Sequence, residues 1–380
     1  MMIRRDLIHG VCAAGGSLLC FLAQTAAAFS GQGVQVLHTD GSHYQISWTE
    51  PGAVDVFVSA QPDAKIQAMR QLAHQDVNRK LETQIAEIKR PYFLLRAADG
   101  STYRTAERVL ALEGGSNFRD LGGYPAADGK HVRWGLLFRS AAMPKLTDAD
   151  YAYLSTLKLR TLVDLRSVDE RQLSPTDWRA RPGATTIAVD YPGNVIFKRL
   201  QGFDGPQRER VTERLYAQLP GLLRKEYKSL FDALLAHKTP LVVQGSAGQD
   251  RTGIAAALIL SALGTPRAVI YQDYLLSAQD RQPQNEMADV DLHQFPENSA
   301  AQFLIAYRNY AEKARKNNLN TPHAKSTPQS KPLMDSRGRP LLEDAFEQIE
   351  ADYGSVSQYL DRALGVNAAG LAKLRALYLK

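Results

Sequence analysis

Between Pro240 and Gly253 the chain reads Pro240-Leu241-Val242-Val243-Gln244-Gly245-Ser246-Ala247-Gly248-Gln249-Asp250-Arg251-Thr252-Gly253. The apolar run reads as a buried strand, the small residues as a loop, and the stretch from about Thr252 onward as a helix. Successive backbone N–H groups in such a loop curl into a nest for an anion. A helix that starts there adds free N–H groups and the positive end of its dipole. Arg251 offers a planar, two-pronged donor to two oxygens of one phosphate. Ser246, Ala247, Gly248, Gln249, Asp250, Arg251 and Thr252 are therefore the candidate phosphate-binding set. Asp250 reads from the residues alone as an acid stabilised at a helix N-terminus. The set contains no activated nucleophile. Gly245 has no side chain, and the Ser246 hydroxyl has no evident base.

The segment resembles the H-C-x-x-G-x-x-R-[ST] signature of the protein tyrosine phosphatases, and in particular the bacterial tyrosine/lipid phosphatase subgroup with its C-x-x-G-K-D-R-T-G form. Asn117-Phe118-Arg119-Asp120-Leu121-Gly122-Gly123-Tyr124 is similar to that subgroup's N-F-R-D-[LI]-G-G opening. Leu137-Phe138-Arg139-Ser140 and Val163-Asp164-Leu165-Arg166-Ser167 resemble its F-R-S and D-L-R-S segments. The resemblance runs from about Gly114 to the C-terminus. It implies a parallel-sheet phosphatase fold, phosphomonoester hydrolysis without a cofactor, Arg251 on the phosphate and Asp250 as general acid. Thr252 matches the hydroxyl that stabilises the leaving thiolate. The nucleophilic cysteine, however, aligns with Gly245 and the histidine before it with Gln244. Gln249 replaces a lysine common in the subgroup. Arg119, Asp120, Asp164 and Arg166 either face the pocket or form structural ion pairs.

Elements able to hold such a loop surround it. From Gly114 onward strands and helices alternate. Leu136–Phe138, Thr161–Asp164 and Thr185–Val189 suit buried strands. Thr147 opens a helix, and Pro220–Ala236, Gly253–Leu263, Pro266–Leu276, Leu342–Tyr353 and Val356–Leu364 carry helical periodicity. This predicts an α/β domain over residues 113–380 with a mostly parallel sheet and an exposed loop over residues 315–340. Residues 29–112 instead show period-two alternation and a turn at Ala98-Asp99-Gly100-Ser101. They predict a small all-β sandwich of immunoglobulin or fibronectin type. Lys65–Leu81 fits a sandwich poorly and reads as helix-like, an insertion.

Arg4 and Arg5, an apolar stretch Val11–Leu22 and Ala26-Ala27-Ala28 predict a signal peptide over residues 1–28 and a periplasmic or secreted protein. The stretch is too short for a stable membrane span. Cys12 and Cys20, the 2 cysteines in the chain, both lie inside that leader, so a chain beginning at Phe29 has no thiol chemistry. A formal net charge of +6 without a long basic run favours a phosphoprotein, phosphoinositide or small phosphoester over nucleic acid. His131, His237, His293 and His323 lack ligand spacing, so no metal site is expected. Three readings stand at this level: a phosphate-binding pseudophosphatase; an active phosphatase altered at one spot, since CAC-TGC becomes CAG-GGC by two adjacent base changes; and a partner-binding protein acting through its β-sandwich.

Overall fold

The alternation in the N-terminal region builds two antiparallel sheets. Strands β1 (Gln35–Asp40), β2 (His43–Ser47) and β5 (Lys80–Gln84) pair in the order β1-β2-β5. Strands β3 (Val54–Ser59), β4 (Arg70–Asp76), β6 (Tyr92–Ala97) and β7 (Thr102–Ala106) pair as β4-β3-β6-β7. Tyr44, Ile46 and Trp48 from one side meet Val54, Val56, Val58, Phe93 and Leu95 from the other in a single buried cluster, as period-two side chains require. The structure, a computed structural model, describes residues 33–110, 112–176, 184–197, 207–289, 333–335 and 337–380. The leader expected over residues 1–28, His293, His323 and most of the loop expected over 315–340 lie outside them.

The helix expected over Lys65–Leu81 is not there. After one 3-10 turn, Ile66–Ala68, the chain forms β4 and enters β5. Strand β4 pairs only with β3, through an irregular register. Only Leu72 and Ala73 of its side chains pack on the core. An edge strand wet on most of its surface carries little period-two signal.

The second unit is a five-stranded sheet in the order β11-β10-β12-β9-β8. Strands β9 (Leu137–Ser140), β10 (Thr161–Asp164), β11 (Thr185–Ala188) and β12 (Leu241–Gln244) run parallel, and the short β8 (Arg119–Asp120) is antiparallel to β9. Helices α1 (Asp148–Leu154), α2 (Val168–Leu173), α3 (Asn194–Phe197), α4 (Gln207–Leu222) and α5 (Arg224–Leu235) precede or follow these strands. The remaining described helices are α6 (Arg251–Ala262), α7 (Arg267–Asp280), α8 (Leu342–Tyr353), α9 (Val356–Leu364) and α10 (Ala368–Tyr378). Helix α6 is apolar nearly all round and correspondingly buried from Thr252 to Leu260. It comes directly after the central strand β12, so the β12–α6 loop sits at the carboxyl edge of the sheet, where open α/β sheets bind ligands.

The two units are packed together. Arg90, two residues before β6, reaches the fully buried Asp120 at 2.8 Å. Trp134 Nε1 donates to Arg104 O at 3.1 Å, and Asp63 pairs with both Arg133 and Lys380. No described helix is long and apolar enough to cross a membrane.

Candidate phosphate-binding site

The loop is held from outside by its carbonyls. Asn117 Nδ2 donates to Ala247 O at 3.1 Å and to Gly248 O at 2.9 Å. Arg139 NH2 donates to Gly248 O at 2.7 Å, and Ala142 N donates to Ser246 O at 3.0 Å. With these carbonyls turned away, the backbone N–H groups of Ser246 to Asp250 make no hydrogen bond among the described residues. They line a cavity of about 130 Å³ together with Arg251, Thr252, Arg166 and Glu170. Gly248 makes the curl possible. Its φ is +63°, and a Cβ there would stand 2.5 Å from Ala141 N, a backbone contact that cannot yield. The opposite wall is apolar, with Ile196, Leu215 and Leu219, so a phosphoester would meet polar donors at one end and hydrocarbon at the other.

Arg251 is held by a partner that sequence reasoning missed. Its NH1 and NH2 donate to Glu170 Oε2 and Oε1, each at 2.7 Å, in a bidentate pair. NH1 also donates to Tyr191 Oη at 2.9 Å and NH2 to Ser246 Oγ at 3.0 Å. The Nε–H has no protein partner among the described residues and remains for a ligand. Burial alone would raise the Glu170 carboxyl, but the Arg251 guanidinium and hydrogen bonds from Arg251, Ser246 and the Ser167 backbone hold it at about 2. Glu170 in turn drives Arg251 above its ordinary range against the effect of burial. The sequence did contain a signal: Ser167 and Glu170 form a capping box at the start of α2, the S-x-x-E pattern. What it could not show is that the same carboxylate continues across to a residue far along the chain.

Gly245 and Gln244 occupy the places where the resemblance expects cysteine and histidine. Gln244 is fully buried and satisfied: Nε2 donates to Asp164 Oδ2 at 2.9 Å and to Thr176 Oγ1 at 3.0 Å. A Cβ on Gly245 would stand 2.6 Å from Thr252 Oγ1, with no backbone atom closer than 3.9 Å. That Thr252 hydroxyl is fully buried and without a hydrogen-bond partner among the described residues. Asp250 lines the cavity just outside α6. Its Oδ1 accepts from Tyr216 Oη and, at 3.2 Å, from Gln249 Nε2.

The four further pocket candidates separate. Arg166 lines the cavity, with its guanidinium on Asp164 and on Ser174 O. Asp164 is the shared acceptor for Arg166 and Gln244, one layer below the loop. Arg119 and Asp120 do not line it. Arg119 is buried against Asp273, whose carboxylate also takes Arg139, and it orients Asn117. Its role is support of the loop from beneath. Asp120 accepts from Arg90, Gly122 N and Gly135 N, which makes it a fastener between the two units. Among the described residues no group of three or more His, Cys, Asp or Glu is placed to hold a metal.

The strand–loop–helix with its clamped arginine sits at the carboxyl edge of an α/β sheet. The tyrosine phosphatase family is matched over residues 110–380, and the chain belongs to that family, within the cysteine-dependent superfamily. A protein of Cupriavidus necator named as a putative tyrosine-protein phosphatase is 33% identical over 279 residues, 71% of this chain and 88% of the relative. The triple specificity protein phosphatase PtpB of Mycobacterium tuberculosis is 32% identical over 202 residues, 44% of this chain and 69% of the relative. Among solved structures, the core catalytic domain of the PP-IP phosphatase Siw14 from S. cerevisiae is 16% identical and covers 55% of this chain and 98% of its own, at a TM-score of 0.24.

Proposed function

We propose that this chain is an exported phosphoester-binding member of its family whose turnover is impaired at the covalent step. One observation carries the reading: the nest, Arg251 and Asp250 are in place around a residue, Gly245, that has no atom with which to attack phosphorus. Loss of a thiolate also removes repulsion toward a bound dianion, on the order of a few kcal/mol at an effective dielectric near 20. Binding is thus retained or improved while chemistry is lost. Ser246 does not substitute as nucleophile. Its hydroxyl rests on Glu170, a carboxylate held near 2 and so a weak base at neutral pH.

The test is a calorimetric titration with inorganic phosphate and phosphotyrosine, run beside hydrolysis of an aryl phosphate. The native chain should bind and not turn over. Gln244→His with Gly245→Cys should raise turnover by several orders of magnitude, because the loop around the pair is intact. Enzyme-like rates in the native chain would overturn the proposal. Export is supported by the leader's composition; mass spectrometry of the protein from the periplasm or medium should find Phe29 first, and Cys20 retained would defeat that cleavage site.

The reading of an active phosphatase altered at one spot is disfavoured by Gln244, whose amide is fully absorbed by Asp164 and Thr176. The partner-binding reading is separated from this one by phosphate binding that depends on Arg251.

A further inference from the structure

The nest holds a second acid, Asp250, at the edge of a site built to receive an anion, and something must keep that charge off the ligand. The Asp250 carboxylate is anchored at one edge only. Tyr216 Oη donates to Oδ1, and Tyr274 Oη donates to Tyr216 Oη at 2.6 Å. Both rings are buried and stand edge to face. Burial, with Asp250 beside them, pushes both phenols well above their ordinary range, so they stay protonated donors. A second anchor is independent of the first. Gln249 Nε2 donates to the same Oδ1 at 3.2 Å, and Arg281 NH1 fixes that amide by donating to Gln249 Oε1 at 2.8 Å. Arg281 is itself set by its ion pair with Glu286.

We propose that Tyr216, backed by Tyr274, is a positioning residue of the anion site: it pins Asp250 by Oδ1 and prevents the carboxylate from turning onto the bound phosphoryl group. The ring sits on α4 between Leu215 and Leu219, which form the apolar wall. The placement of that wall and the orientation of the acid are therefore set by one helix. This inference rests on the phosphate-binding reading above and adds to it the device that lets an acid and an anion share the loop.

The test is calorimetry with inorganic phosphate on the full chain and four variants. Tyr216→Phe frees the carboxylate and should weaken binding about tenfold, the cost of moving a like charge from about 6 to about 4 Å from the anion at an effective dielectric near 20. Adding Asp250→Asn to Tyr216→Phe should return affinity to within about twofold of the parent, since no charge remains to turn. Gln249→Leu, a rim substitution that leaves the core untouched, should act in the same direction as Tyr216→Phe and keeps the test valid if that protein fails to fold. Asp250→Asn alone should bind as well as the parent or better. Undiminished binding by both Tyr216→Phe and Gln249→Leu overturns the inference. So does a loss that Asp250→Asn does not rescue, because that marks a purely structural role. A native chain that takes up no phosphate overturns the phosphate-binding reading itself, and this one with it.

Discussion

Replacing Arg251 by alanine should cost more than the contacts Arg251 makes. A charge-assisted guanidinium–phosphate contact is worth about 2–3 kcal/mol. In this site the substitution also exposes the ligand to Glu170, which Arg251 neutralises at 2.7 Å and which is nearly inaccessible to water. A carboxylate one guanidinium width from the anion, at about 5 Å, repels it by about 3 kcal/mol at an effective dielectric near 20. The two effects together predict a loss of about 5 kcal/mol at neutral pH, more than a thousandfold in Kd. Adding Glu170→Gln to Arg251→Ala should recover the repulsive part and leave a deficit of about 2–3 kcal/mol. Arg251→Lys should recover only a fraction, since an ammonium cannot hold both Glu170 oxygens and still present a fixed donor to the anion. Phosphate titration calorimetry on the parent and these variants reads the effects directly. A double variant that binds no better than Arg251→Ala would refute the claim that Glu170 acts through its charge.

The same pair predicts acid sensitivity. Glu170 is depressed from 4.5 to about 2, which is worth about 3 kcal/mol of stability. That stability is complete above the ordinary carboxyl value and is lost as pH falls from about 4.5 towards 2; urea unfolding at pH 7 and pH 3 should show Glu170→Gln converging on the parent in acid. Arg90→Ala should lower the stability of the whole described body by about 3–5 kcal/mol, because it leaves Asp120 buried without its counter-charge. Unfolding monitored by fluorescence from Trp48 in the sandwich and Trp134 in the α/β unit should shift together, and a shift confined to one of them would show that the units unfold independently.

What was legible in the sequence was local. The strand, loop and helix around Arg251 were, because the strand, small residues, arginine and helix start lie within fourteen consecutive positions and each has its own physical signature. So were β10, β12, α1 and α6, whose apolar runs or caps are strong. Glu170 was visible only as a cap, since its contact with Arg251 is made by folding and leaves no trace in spacing. Tyr216 was hidden for a similar reason: a tyrosine on an amphipathic helix reads as core, and only the approach of α4 to the loop gives its hydroxyl a partner. Arg119 stayed undecided in the sequence because a charged residue at a strand end suits both a ligand contact and a structural ion pair. Its charge is matched by Asp273 beneath the loop. Strand β4 was misread because one-sided pairing and solvent left it no alternation.

The distribution of constraint around the loop bears on what its one departure means. Gly248 cannot change without collision against the backbone of Ser140 and Ala141, and a Cβ on Gly253 would meet the Tyr274 ring at 3.0 Å. These positions govern shape: the curl that aims the amides inward and the close packing of α6. Gly245 is different in kind. Among the described residues the one atom crowding a side chain there is the Thr252 hydroxyl, which can rotate about a single bond. A cysteine would therefore fit at small cost and would give that buried, unpartnered hydroxyl an acceptor in its thiolate. Gly248 and Gly253 stand where the fold is demanding, and Gly245 stands where the fold demands little and the family's chemistry demands everything. A loop maintained only as scaffold has no need of Arg251 clamped by Glu170 or Asp250 pinned by two donors. That pattern supports the proposed phosphate-binding reading, and the restored Gln244→His, Gly245→Cys protein tests whether cleavage is what the site has lost.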